Sequence, residues 1–259
     1  MKETSDIEIN DVAITFDTDW APDFAIDKTA EILIANNTKA TWFITHDSKA
    51  IRKLFDHADL FELGIHPNFM PGSTHGTNYQ EVIANVLKLV PNAKVVRTHA
   101  MFYSAPLSRM FAFDFGLETD SSMFLAGMPH IIPQEIIYDN RSLIRMPYLW
   151  SDDAEMSITK SPSFEFNNRK FNKPGLKILD FHPIHVFINS ENMNNYNALK
   201  QKVSLRDCKP EEVKPFINKK NGSGSLLEQI IKANPNPAGF KTLTEIASDW
   251  KLLQRNIQE

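Results

Sequence analysis

The order of apolar runs along the chain constrains its fold most. At least six short strand-like runs alternate with helix-patterned segments before residue 190. The first strand is expected over "VAITFDTD" (12–19), followed by a helix over "DKTAEILIANN" (27–37) and a second strand over "KATWFIT" (39–45). Asp47 is placed to cap "SKAIRKLFDHA", and "LFELGIHP" (60–67) reads as the third strand. Asn78, with Glu81 three residues on, marks a capped start for "YQEVIANVLKLV". A short strand "AKVVRTH" (93–99), a helix "APLSRMFAFDF" (105–115) and a strand end "GLETDSS" (116–122) come next. "SLIRMPYLW" (142–150) and "GLKILDFHPIHVF" (175–187) are two further strands. Such an order predicts parallel strands joined by crossover helices. No G-x-G-x-x-G follows the first strand and no Walker A motif occurs, which favours a barrel over a nucleotide-binding doubly wound sheet.

The expected fold is therefore α/β, a distorted (β/α)7-type barrel with extra C-terminal helices. One domain is expected over 1–259, with its core at about 11–188 and a helical part at 189–259 packed on the outside. Capping-box patterns at Ser225 with Glu228 and at Thr242 with Glu245 announce the two final helices.

Composition narrows the function classes. A chain of 259 residues, 42% hydrophobic, can bury a large core. Its net charge of −4 comes without any long block of like charge, so neither nucleic acid nor an anionic membrane is called for. A single cysteine, Cys208, can form no internal disulfide and no thiolate metal site by itself. The polar start "MKETSDIEIN" has no apolar h-region, and no stretch approaches about 18 apolar residues, so the expectation is a cytoplasmic protein without a membrane span.

Polar residues gather at strand ends. In an extended strand Thr15, Asp17 and Asp19 share a side, with the two carboxylates roughly 7 Å apart. Two buried like charges need a cation or a proton to offset their repulsion. His66 ends the third strand, Arg97 the fourth and Asp120 the "GLETD" run, while Asp180 and His182 share one side near the end of the last. The C-terminal rim of a parallel barrel is where chemistry collects.

"TFDTDW", "ELGIHP", "VVRTH", "GLETDSS" and "ILDFHP", in this order, resemble the polysaccharide deacetylase family. These are the carbohydrate esterase family 4-like enzymes that share the nodulation-protein homology domain. "GIHPNF" with "DFHPIHVF" is similar to a branch associated with bacterial O-antigen and other surface-polysaccharide clusters. The resemblance implies a hydrolase that removes an acetyl group, N- or O-linked, from a sugar or polysaccharide precursor. Asp17 would be the general base, Arg97 would hold it, and His182 would be the general acid. A divalent metal ion, usually zinc in the family, would sit on Asp19 and two histidines. His66 maps onto the first of these. Met70 stands where the second usually lies and is a poor ligand for such a site, so His75 is expected to return on a longer loop. Asp120, Asp152 and Asp153 are candidates to orient His182. Trp150 and Asp152 could line the sugar cleft, and His185 is a further candidate near the acid. The substrate would be an acetylated sugar, a nucleotide-sugar or a lipid-linked glycan. Two other readings compete: an inactive relative that binds a glycan or partner, and a glycosyltransferase using "DTD" as a D-x-D motif.

Overall fold

The computed structural model describes residues 9–166, 171–234, 236 and 239–258. Strand β1 (Val12–Asp17) runs through the middle of the sheet, paired in parallel with β2 (Ala40–Ile44) on one side and β9 (Lys177–Phe181) on the other. Burial on both faces accounts for the mainly apolar character of these three strands. Beyond β2 lie β3 (Phe61–Ile65), β4 (Val95–Val96), β5 (Thr119–Asp120), β7 (Arg141–Arg145) and β6 (Gln134–Tyr138). Beyond β9 lies β8 (Trp150–Ser151). Every pair is parallel except the β6–β7 hairpin at the edge.

The nine strands curl into a half-barrel. The stretch after β7 draws its flanks together, since Met146 N donates to Asp120 O on one side and Leu149 N to Ile178 O on the other. The expected strand 142–150 is thus two short ones. Pro147 lies between them and has no N–H for a ladder.

Helices α1 (Asp23–Ala35), α2 (Lys49–Leu54), α3 (Tyr79–Leu87) and α4 (Ala105–Phe113) follow β1 to β4, and α5 (Asp152–Ile158) follows β8. The run expected as one strand over 175–187 stops at Phe181. Pro183, with its preset φ and missing N–H, opens α6 (Pro183–Phe187). Asn78 caps α3 as expected, accepting from Glu81 N at 3.0 Å. Ser48 rather than Asp47 caps α2, and Asp47 instead pairs with Arg52.

The C-terminal part comprises α7 (Met193–Lys202), α8 (Pro210–Val213), α9 (Ser223–Ala233) and α10 (Leu243–Gln258). α9 begins earlier than its capping-box pattern suggests, with Gly222 as N-cap and Ser225 Oγ accepting from Gly222 N at 2.8 Å. A Cβ on Gly222 would lie 2.1 Å from Asn189 O, so only glycine permits this approach to the end of α6. α10 does carry the expected reciprocal cap, Thr242 N to Glu245 Oε2 at 2.9 Å and Glu245 N to Thr242 Oγ1 at 3.3 Å. Glu62 of β3 ties this helix to the sheet, accepting from Leu243 N at 2.9 Å and from Thr41 Oγ1 at 2.8 Å.

Phe16 of β1 stacks on Trp42 of β2 with ring centres 4.4 Å apart, and Trp150 meets Phe181 at 5.0 Å. These rings belong to one hydrophobic cluster running from Ile9 to Trp250. No described helix is long and apolar enough to cross a membrane.

Candidate active site

β1 ends at Asp17, and the chain does not continue extended to Asp19 as expected. Asp19 and Trp20 both take left-handed backbone angles, φ 41° and 54°. Non-glycine residues adopt these rarely, and such strain clusters at functional sites. Thr18 pins the turn: its N–H and its hydroxyl both reach Phe43 O, at 3.1 and 3.0 Å. The turn brings both carboxylates onto one atom. His66 Nε2 lies 3.5 Å from Asp17 Oδ2 and 3.2 Å from Asp19 Oδ1.

Asp17 belongs to a buried cluster around Arg97. Nη1 of Arg97 donates to Asp17 Oδ1 at 3.0 Å, to Thr15 Oγ1 at 2.8 Å and to Asp180 Oδ1. Nε and Nη2 reach Ser121 O at 3.0 Å and Ser121 Oγ at 3.1 Å. The guanidinium lies between the rings of Phe43 and Tyr148, 4.4 and 4.6 Å from their centres. Stacked and forked in this way, the arginine is fixed in direction. Burial drives the Asp180 carboxyl well above its ordinary pKa, against the pull of Arg97.

Asp19 belongs to a second cluster. Its Oδ1 meets His66 Nε2 and also His99 Nδ1 at 3.0 Å, and its Oδ2 lies 3.6 Å from His182 Nε2. Burial raises the Asp19 pKa, but the imidazoles of His66 and His99 outweigh it and hold the carboxyl well below the usual range. His99 is displaced the other way, burial lowering its pKa and the Asp19 contact more than restoring it.

His75 is not in this cluster. Its Nε2 donates to Thr45 O at 2.7 Å and its Nδ1 accepts from Asn68 N at 3.0 Å. Both ring nitrogens are engaged by backbone, so no lone pair is left for a metal. His99 stands where His75 was expected. It opens the short 3-10 turn that follows β4, two residues after Arg97, and the strand-end rule that marked Arg97 could have marked it too.

His182 sits immediately after β9 as the N-cap of α6. Its Nδ1 donates to Asp152 Oδ1 at 2.7 Å, and its N–H to Asp152 Oδ2 at 3.0 Å. Ser223 of α9 completes the carboxylate's shell with a 2.7 Å hydrogen bond. Burial alone would depress the His182 pKa. The carboxylates of Asp152 and Asp153 prevail and raise it well above the ordinary value.

Three further candidates fall outside. Asp120 is fully buried against Arg145, with Nη2 at 3.1 Å, so Asp152 and not Asp120 meets His182. Trp150 is core: it packs on Phe164, Phe171 and Phe181 and donates to Glu155 at 3.1 Å. His185 is directed to Ser190 Oγ at 2.9 Å and packs on Tyr196, with ring centres 4.5 Å apart.

Asp17, Asp19, His66, His99 and His182 all line one cavity of about 300 Å³, whose wall also includes the Phe124–Tyr148 pair. Asp19, His66 and His99 each present a ligand atom within 4.8 Å of the others. Two imidazole nitrogens converging on one carboxylate oxygen form a donor set suited to a divalent cation with open positions. The residues present thus fit the metal that the resemblance implies.

The model of the WbmS-like polysaccharide deacetylases matches residues 14–200. The chain belongs to this family. All of the clustered residues named above except Ser223 fall within the matched span. A crystal structure described as a polysaccharide deacetylase involved in O-antigen biosynthesis, WbmS of Bordetella bronchiseptica, is 30% identical with a TM-score of 0.75. The match covers 89% of this chain and 96% of that one. The peptidoglycan deacetylase PdaC of Bacillus subtilis is 11% identical with a TM-score of 0.50, covering 96% and 95% of the two chains. A 4-alpha-glucanotransferase of Thermococcus litoralis is 9% identical, also at 0.50, covering 93% of this chain and 38% of its own. The last two share the fold alone. No curated protein matches the chain in sequence.

Proposed function

We propose that this family member is a metal-dependent hydrolase. It removes an N- or O-linked acetyl group from a sugar or polysaccharide precursor in O-antigen or related surface-polysaccharide synthesis. One observation carries the reading. Asp17 and His182, each fixed by a charged partner, stand within 3.6 Å of the Asp19–His66 part of the ligand set in a single cavity. Asp19, His66 and His99 would hold the ion, zinc being the cation that best suits two imidazoles and a carboxylate. When bound, it would supply Lewis acidity toward the acetyl carbonyl and its attacking water.

The chain's own groups then divide the proton transfers. Asp17 takes a proton from the attacking water through an oxygen that Arg97 leaves free. Arg97 holds that carboxylate in place and pointed into the cavity. His182 presents Nε2 to the cavity and protonates the departing nitrogen or oxygen. Asp152, on the other ring nitrogen, fixes the imidazole's orientation and favours its charged form. The half-buried Phe124 ring, stacked on Tyr148 in the cavity wall, offers an apolar surface for a sugar ring. In a D-x-D glycosyltransferase, Asp17 would face a nucleotide-bound cation. Its engagement by Arg97 disfavours that reading.

The test is purification without chelators, elemental mass spectrometry, and acetate release from acetylated sugars. About one divalent ion per chain is expected, with acetate release that chelation stops and resupply restores. A chain that takes up no metal when zinc is supplied, and releases no acetate, would overturn the reading.

A further inference from the structure

A second cavity, of about 610 Å³, adjoins the first and shares Asp19 and His99 with it. The two differ in sign. Among the described residues, the first is lined by the carboxylates of Asp17, Asp19, Asp153 and Asp180 and by no lysine or arginine. The second is lined by Lys200 and Arg206, and Asp19 is its only carboxylate among the described residues. In a chain with 32 acidic and 28 basic residues, this runs against the overall balance. Neither Lys200 nor Arg206 has an acidic partner among the described residues. The Lys200 ammonium lies 5.2 Å above the ring of Tyr196, one helical turn earlier on α7. Tyr196 is itself seated on His185 and also lines the cavity. Trp20 lines the second cavity, held by Thr45 Oγ1 through its N–H at 3.1 Å and packed against His75 and His99. An anion on the substrate would be repelled from the acidic cavity and drawn to the basic one, where ammonium and guanidinium groups bind phosphate oxygens.

We propose that the second cavity holds the diphosphate of a carrier-linked sugar, with Lys200 and Arg206 as its phosphate contacts. The natural substrate is then a glycosyl diphosphate and not a free neutral polymer. This rests on the deacetylase reading for the adjoining site, and it names the substrate class of that site. The carrier beyond the diphosphate is a nucleoside or a prenyl chain, and both share the chemistry that Lys200 and Arg206 would recognise.

Calorimetric titration of the metal-loaded protein with inorganic pyrophosphate, uridine diphosphate and geranyl diphosphate tests it. Binding is expected to weaken at least tenfold in Lys200→Ala/Arg206→Ala and to fall with added salt, with metal content and melting temperature unchanged. Tighter binding of uridine diphosphate than of pyrophosphate assigns a nucleotide carrier, and tighter binding of geranyl diphosphate a lipid one. Asp19→Asn, which removes a metal ligand, separates a phosphate site from chelation. Retained diphosphate binding in that variant supports the proposal. Binding that is lost in Asp19→Asn but untouched in Lys200→Ala/Arg206→Ala overturns it, as does no binding of any probe at millimolar concentration. Failure of the deacetylase reading would show separately, as absent metal and absent acetate release.

Discussion

Two charged clusters lie side by side under the rim, and they are neutralised in different ways. Around Arg97, the protein supplies its own cation. One guanidinium answers Asp17, Asp180 and Thr15, and aromatic rings cover both its faces. Around Asp19, among the described residues, one carboxylate faces three imidazoles and no permanent cation, and His66 Nδ1 has no hydrogen-bond partner. The first cluster is closed and depends on nothing outside the chain. The second reads as a set of donors waiting for a positive ion. A closed cluster should betray itself through stability, and an open one through what it binds.

The largest effect should come from breaking the closed cluster. Arg97→Met leaves Asp17 and Asp180 buried without a counter-charge. Loss of one partner from a buried charge network costs about 3–5 kcal/mol. Denaturant unfolding should show a lower midpoint with the slope unchanged, the product of midpoint shift and slope giving that free energy. A shift below about 1 kcal/mol would mean that the two carboxylates relax to solvent or share a proton at little cost.

The open cluster should respond through metal content. His99→Ala should lower divalent-metal affinity by at least about a hundredfold, as loss of a direct ligand exceeds the effect of losing an outer partner. His75→Asn should leave metal stoichiometry as it is, because both of its nitrogens are tied to backbone. Elemental analysis of the two variants decides between the histidines. Metal lost from the His75 variant and kept by the His99 variant would reverse the assignment.

This pair of residues also shows what was legible in the sequence. Asp17, Asp19, His66, Arg97 and His182 could be placed together because each ends a parallel strand, a position readable from the apolar run before it. His99 stands in the same kind of place. The family's spacing points instead to the loop after His66, and so to His75. Asp152 could not be separated from Asp120 and Asp153 by sequence. Its selection depends on β8 and α5 meeting His182 and on Ser223, 71 residues further along, closing the shell. Asp120 looked equivalent until Arg145 was seen beside it on β7. The parallel core was readable from its continuous apolar strands. The β6–β7 hairpin was not, because β6 is an edge strand with mostly exposed side chains and no buried alternation. The basic cavity lay hidden for a related reason. Lys200 and Arg206 occupy an Asn-rich, polar stretch whose pattern reads only as an outer helix and loop.

A smaller effect should follow at the junction of the two clusters. Asp152→Asn keeps the shape beside His182 but removes the charge that raises its pKa and fixes its ring. Turnover should fall about 10- to 100-fold, with metal content unchanged. If turnover stayed within about twofold of wild type, His182 would not need orienting by a carboxylate, and its place as the proton donor would be in doubt.

An effect confined to acid pH concerns histidines that have no carboxylate partner. His182 and His99 are raised by neighbouring carboxylates, whereas burial pushes His46 and His185 down to about 4. An unfolded histidine titrates near 6.5. Between those values the unfolded chain binds the protons that the folded chain refuses, so stability falls as pH falls from about 6.5 to about 4, and these two groups add nothing further below it. The slope is about 1.4 kcal/mol per pH unit for each group at full effect. His46→Gln and His185→Gln should each flatten the acid limb of a stability profile by up to that amount, measured by denaturant unfolding at stepped pH. His182 and His99 have folded-state values above their unfolded ones. Their contribution is therefore present in acid and lost as pH rises through the raised values. An acid limb unchanged in both variants would mean that His46 and His185 gain protons in place without unfolding. The contrast between partnered and unpartnered histidines would then fail at its simplest point.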